Sequence, residues 1–198
     1  MIHTSRWLRV TGLGVVAAIL VSPASGAGSR LTIAGGTTRE QTQVRAALRA
    51  SSFDWSVLPQ PVAIRIGRGE ASYAIPGEIG LDANLLDTGP FAWGVIQHEF
   101  AHEVDFLLLD DSDRARLQAA LGGSSWWPVD GLAHAQLGCE RFASTLAWAY
   151  WPSPANVMRP ASTSDEAGSM APAAFRALLN GILRAHEIRA VSQSFTAR

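Results

Sequence analysis

The stretch "WGVIQHEFAHEVDFLLLD", residues 93–110, sets two histidines four apart, with a glutamate directly after the first, inside an otherwise apolar run. Residues four apart lie one turn above each other on the same helix face, so His98 and His102 can aim two imidazole nitrogens at one ion. Glu99 points about 100° further round the helix, which brings a carboxylate beside such an ion without forcing it to bind. The alternative is a core helix whose histidines bond backbone groups. Burying two histidines and several acids in one apolar helix is costly, however, unless something compensates them. Val95, Ile96, Phe100, Ala101 and Val104 supply the apolar contacts that would dock the helix in a core. Just upstream, "DTGP" supplies its start, with Pro90 at the first helical position and Thr88 or Gly89 as the cap. A helix over about 90–109 is therefore expected.

Upstream, "TTREQTQVRAALRASS" places Val44, Ala47 and Leu48 at helical spacing behind Thr37 or Thr38 as cap, which predicts a helix over 38–51. "PVAIRIG" alternates Val62, Ile64 and Ile66 with Ala63 and Arg65, the period of a half-buried strand. Two shorter extended pieces follow, broken at Pro76-Gly77, where the proline argues for an edge or a turn. Beyond the central helix, "DDSDRARLQAALGG" reads as a helix capped by Ser112 and closed by Gly122-Gly123. "SSWWPVDGLAHAQLG" reads as a loop, and "CERFASTLAWAYW" as an apolar helix stopped by Pro152. Residues 152–172 turn to Pro, Ser, Ala and Thr, an irregular connection of a length that is usually functional or mobile. Phe175, Leu178, Leu179, Ile182 and Leu183 then define a last helix over 173–188, and 191–198 reads as a flexible tail. The expected fold class is α+β. One domain over 28–190 has a small, mainly antiparallel sheet packed on the central helix, followed by a helical half.

Composition agrees with one globular domain: 198 residues, 47% hydrophobic and 17% charged. A net charge of −1, with all 16 basic residues scattered arginines, gives no electrostatic reason to expect nucleic acid as a partner. Residues 1–27 have the plan of a secretory signal peptide: Arg6 and Arg9, an apolar middle from Val10 to Val21, then small residues. The apolar run falls short of the roughly 18 residues that span a bilayer, so secretion without stable membrane association is expected. A single cysteine, Cys139, excludes an intrachain disulfide, and its expected role is packing rather than nucleophilic attack.

"HEFAH" resembles the active-site helix of the zincin metallopeptidases. The resemblance implies that His98 and His102 are zinc ligands and that Glu99 is the general base. The metzincin branch would want glycine at 105 and histidine at 108, where this chain has Asp105 and Leu108. The third ligand must then come from elsewhere, and zincins of the gluzincin type take it from a glutamate on a later helix. Glu140 at the start of "CERFASTLAWAYW" fits that role, with His134 and Asp130 as competing ligands. Two departures from thermolysin-like enzymes stand out. The spacing from His102 to Glu140 is longer, and Ser144 occupies the position, four after the ligand, where those enzymes carry an acid.

Asp105, three residues past His102, can bond an imidazole or pair with an arginine. Tyr73, Tyr150 and His134 are the candidate donors to a developing oxyanion, although Tyr150, Trp148 and Trp151 are expected in the core. The function this implies is a secreted zinc metallopeptidase that hydrolyses a peptide or protein substrate with Glu99 moving the proton. Substrate would lie extended along an edge strand somewhere in Tyr73 to Leu81. Two other readings share these residues: a zinc-binding structural module without catalysis, and a cell-wall amide hydrolase.

Overall fold

The computed structural model of the chain describes residues 31–196. The segment read as a signal peptide lies outside the described residues. Among those described, no helix is long and apolar enough to cross a membrane.

Strand β1 (Leu31–Gly35) leads into helix α1 (Thr38–Ala50), which a capping box closes: Thr37 Oγ1 accepts from Glu40 N–H, and Glu40 Oε2 accepts from Thr37 N–H. Strands β2 (Val62–Gly67), β3 (Tyr73–Ile75) and β4 (Glu78–Asp82) follow, and the sheet order is β1-β2-β4-β3. Both β1 and β4 pair with β2 in parallel, while β3 pairs with β4 antiparallel. The expected, mainly antiparallel sheet is thus corrected to a mixed sheet with two parallel pairings and one antiparallel. One physical reason is that α1 is long enough to carry the chain back across the sheet, which a parallel pair requires. The other is that β3 folds back onto the outer side of β4 through the Pro76-Gly77 turn, where Gly77 has φ +83°. Alternation along β2 holds as read from its sequence, with Val62, Ile64 and Ile66 buried.

After a single turn, α2 (Ala83–Leu86), comes the long helix α3 (Phe91–Leu108). Pro90 itself is its cap, without a side-chain bond, because the Thr88 hydroxyl donates to Leu85 O instead and closes α2. Helix α4 (Asp111–Leu121) is capped by Asp110 in a reciprocal pair with Asp113, not by Ser112, whose hydroxyl donates to Asp110. It stops at Gly122, φ +85°, as glycine there allows. Helix α5 (Gly138–Tyr150) and helix α6 (Pro172–Thr196) complete the chain, and α6 runs through most of the segment expected to be a tail.

Helix α3 is the centre of the molecule. It packs on α1 and β3 on one side and on α5 on the other, with α6 behind α5. Twelve of its residues are buried, on all faces, so its polar side chains each need a partner in a neighbouring element. Gln97 donates to Ala47 O of α1 at 2.7 Å. Glu103 accepts the Gly77 N–H of the β3–β4 turn at 2.8 Å. Asp105 accepts from Arg114 Nε of α4 at 2.8 Å and from Trp126 Nε1 at 2.9 Å, so of its two sequence-level roles it takes the arginine and leaves the imidazoles alone. The residues left over are His98, Glu99 and His102.

Candidate metal centre

His98 and His102 leave α3 on the face that meets α5, one turn apart, with Nε2 atoms 3.1 Å from each other. Glu140 enters from the first turn of α5, and its Oε2 lies 3.1 Å from His98 Nε2 and 3.2 Å from His102 Nε2. The three form a group that could hold a metal ion. Asp130 is exposed and takes no part. His134 touches the same Glu140 oxygen at 3.0 Å but lies outside the group. A second group, Asp110, Asp113 and His186, is already committed: its acids cap α4, and Arg189 lies against both Asp110 and His186.

Hydrogen-bond bookkeeping tests whether the first group fits a cation. Ser144 Oγ, one turn beyond Glu140, lies 2.6 Å from Glu166 Oε2 and 3.1 Å from His98 Nδ1. Burial alone would raise the Glu166 carboxyl, but His134 and Ser144 bring it below its ordinary value, so it is a carboxylate that can only accept. The single Ser144 proton therefore goes to Glu166, and Ser144 accepts from His98 Nδ1–H. Burial lowers the His98 pKa, so the ring is neutral and its Nε2 carries a lone pair. That lone pair faces a carboxylate oxygen at 3.1 Å with no proton between them. That repulsion is relieved by an electron-pair acceptor among the three atoms or by a proton on His102, whose pKa burial would lower but Glu140 raises. Ligands on a tetrahedral ion at about 2.0–2.1 Å stand about 3.3 Å apart, close to the 3.1–3.2 Å spacings seen here.

The neighbours tune this group. Burial would raise the Glu140 carboxyl, but the imidazoles of His102 and His134 hold it far below the carboxylate range. Burial pushes Glu99 up to about 7. His134 is pushed up to about 10 by the carboxylates of Glu140 and Glu166, the latter 2.6 Å from its Nδ1. Cys139 is buried, its thiol pushed up to about 12 by that burial, and its Sγ–H points at Glu140 Oε1 from 3.7 Å. Its burial agrees with the packing role expected of it.

The group opens into a cavity of about 370 Å³ lined by Ser72, Tyr73 and Ala74 on one side, Phe106 and Trp127 on another, and Glu99 and His134 at the metal end. Of the candidate oxyanion donors, Tyr150 is in the core with its hydroxyl on Asn180, and Tyr73 gives its hydroxyl to Glu78. His134 lines the cavity as Tyr73 does, with Nδ1 on Glu166 and Nε2 beside Glu140. The sequence reading missed Glu166, which sits in the irregular connection, and Arg141. Arg141 donates to Ala135 O beside His134 and to Asp165 O beside Glu166, fastening both segments to α5. A buried arginine next to a proposed ligand was the available signal. Comparisons with family models, curated proteins and solved structures found no match.

Proposed function

We propose that the protein is a zinc-dependent peptidase of the kind its "HEFAH" helix resembles, with His98, His102 and Glu140 as ligands and Glu99 as general base. The observation that carries the reading is the triangle of two imidazole nitrogens and a carboxylate oxygen, 3.1–3.2 Å apart, at the end of an open cavity. Two nitrogens and one oxygen are a donor set that suits zinc and leaves a coordination position for water. When bound, zinc would polarise a substrate carbonyl and lower the pKa of its water to about 7.

The chain's own residues supply the rest. Glu99, with a carboxyl pushed up to about 7, is matched to taking a proton from the attacking water and returning it to the leaving amine near neutral pH. His134 lines the cavity with its Nε2 3.0 Å from Glu140 Oε2, and would donate to the oxygen on which charge develops once that carboxylate oxygen serves the ion. Strand β3 pairs on one side with β4 and is the sheet's edge, so its outer side offers backbone groups to an extended peptide. Phe106 and Trp127, stacked with centroids 5.9 Å apart, form an aromatic wall suited to a bulky apolar substrate side chain.

The Glu99→Ala variant tests this reading. It is expected to keep fold and zinc while cleavage of a peptide library falls by at least 100–10,000-fold, the range for loss of a general base. Equal cleavage by both proteins would remove the enzyme reading and leave a zinc-held structural module. A peptidoglycan digest run beside the peptide library separates a peptidase from a cell-wall amide hydrolase.

A further inference from the structure

We infer that Glu166, carried by the proline-rich connection between α5 and α6, is the positioning carboxylate of the metal site: it sets the tautomer of His98 through Ser144 and orients His134 directly. The inference rests on the metal reading above and names the residue that makes the ligands ready for the ion.

Glu166 uses its two oxygens for two different histidines. Oε2 takes the Ser144 proton at 2.6 Å, and Ser144 in turn accepts from His98 Nδ1 at 3.1 Å. Oε1 takes the His134 Nδ1 proton at 2.6 Å. Both imidazoles are thereby turned so that Nε2 points at Glu140, at 3.1 Å from His98 and 3.0 Å from His134. A serine alone could not do this. Its hydroxyl can donate to an imidazole as readily as accept from one, and only the carboxylate behind it fixes the direction.

The connection is built to hold Glu166 in place. Asn156, 3% exposed, donates to Ala147 O at 2.9 Å and to Trp151 O at 2.8 Å, and its Oδ1 accepts from Met158 N–H. Asp165 ties the turn before Glu166 by accepting from Ala161 N–H and Ser162 N–H. Arg141 then gathers the carbonyls of Ala135 and Asp165 and the Ser169 hydroxyl, so the His134 segment and the Glu166 segment share one anchor on α5. On the far side of Ser144 lies a cavity of about 310 Å³, bordered by Glu166 and Met158, with space for a larger side chain at 144.

The test is zinc affinity, read by competition with a chromophoric chelator, for the wild type, Glu166→Ala, Ser144→Ala and the double variant Glu166→Ala/Ser144→Asp, with circular dichroism as the check on fold. Each single variant is expected to bind zinc about 10–100-fold more weakly, the usual effect of removing a partner behind a ligating histidine. The double variant is expected to recover most of that loss, since an aspartate at 144 can take the His98 proton itself. Its peptide cleavage is expected to stay low, because His134 still lacks an acceptor. Should Glu166→Ala fail to fold, Glu166→Gln serves instead: its single acceptor oxygen can satisfy His134 or Ser144 but not both, so affinity or cleavage must fall. Folded Glu166 variants with wild-type affinity and cleavage overturn the inference, as does a double variant that binds no better than Glu166→Ala. A wild type that binds no zinc removes the metal reading itself, an outcome distinct from a wild type that binds while the variants are unaffected.

Discussion

His134 stands largely in solvent, with 61% of its side chain exposed, against 8% and 9% for His98 and His102. On the proposed reading that difference goes with a donor at the cavity wall and ligands in its floor, a distinction that spacing along the chain does not make. His134→Gln is therefore expected to lower kcat for peptide cleavage by about 100–1,000-fold, the cost of one oxyanion donor, with KM and zinc content little changed. Loss of zinc in that variant would instead make His134 a ligand. The same limit on legibility applies to Asp105. Its register on α3 left an imidazole and an arginine equally available, and the choice was made by Arg114 and Trp126, which only the fold brings to it. His98, Glu99 and His102 were readable because their relation lies within one helical turn. Glu166 was not, because its partners Ser144 and His134 are 22 and 32 residues away.

Among the elements, α3 announced itself by its apolar content and the proline at its start, although its cap was misplaced, whereas β1 did not, since five residues with only Leu31 and Ile33 to alternate carry little pattern. Missing β1, and not foreseeing that β4 would pass β3 to lie parallel beside β2, made the sheet read as mainly antiparallel. Two predictions belong to the packing of α3. Gly94 faces the proline-rich connection so closely that a Cβ would come within 2.4 Å of Asn156 Oδ1 and 2.9 Å of Val157 Cγ1. Alanine there would ordinarily favour a helix, but the clash should win, costing about 1–3 kcal/mol in urea unfolding and opening residues 152–172 to proteolysis. Glu103, whose Oε1 has no partner, is pushed by burial from its ordinary 4.5 up to about 7. A carboxyl raised in the folded state holds its proton there when the unfolded chain has already released it, so its contribution is full below pH 4.5 and is lost as pH rises through about 7. With both proteins stripped of metal, wild-type stability should fall over that window relative to Glu103→Gln. Parallel pH profiles would show that Glu103 does not titrate there.

For the molecule as a whole, the candidate centre draws on α3, α5, the His134 turn and the connection before α6, with β3 across the cavity. Binding an ion there would couple these parts, because it would take ligands from α3 and α5 together. Metal removal should accordingly destabilise the whole domain, by about 4 kcal/mol where free zinc had stood at 1,000 times its Kd, visible as a lower Tm after chelation that added zinc restores. An unchanged Tm would mean that the three ligands do not act together. The most direct measurement is zinc stoichiometry with X-ray absorption at the zinc edge, on wild type and Glu140→Ala. The account predicts one zinc per chain in the wild type, four-coordinate with two imidazoles and oxygen donors at about 2.0–2.1 Å, and an altered, weakly held site in the variant. A wild type that retains no zinc, or a spectrum that Glu140→Ala leaves unchanged, would contradict it.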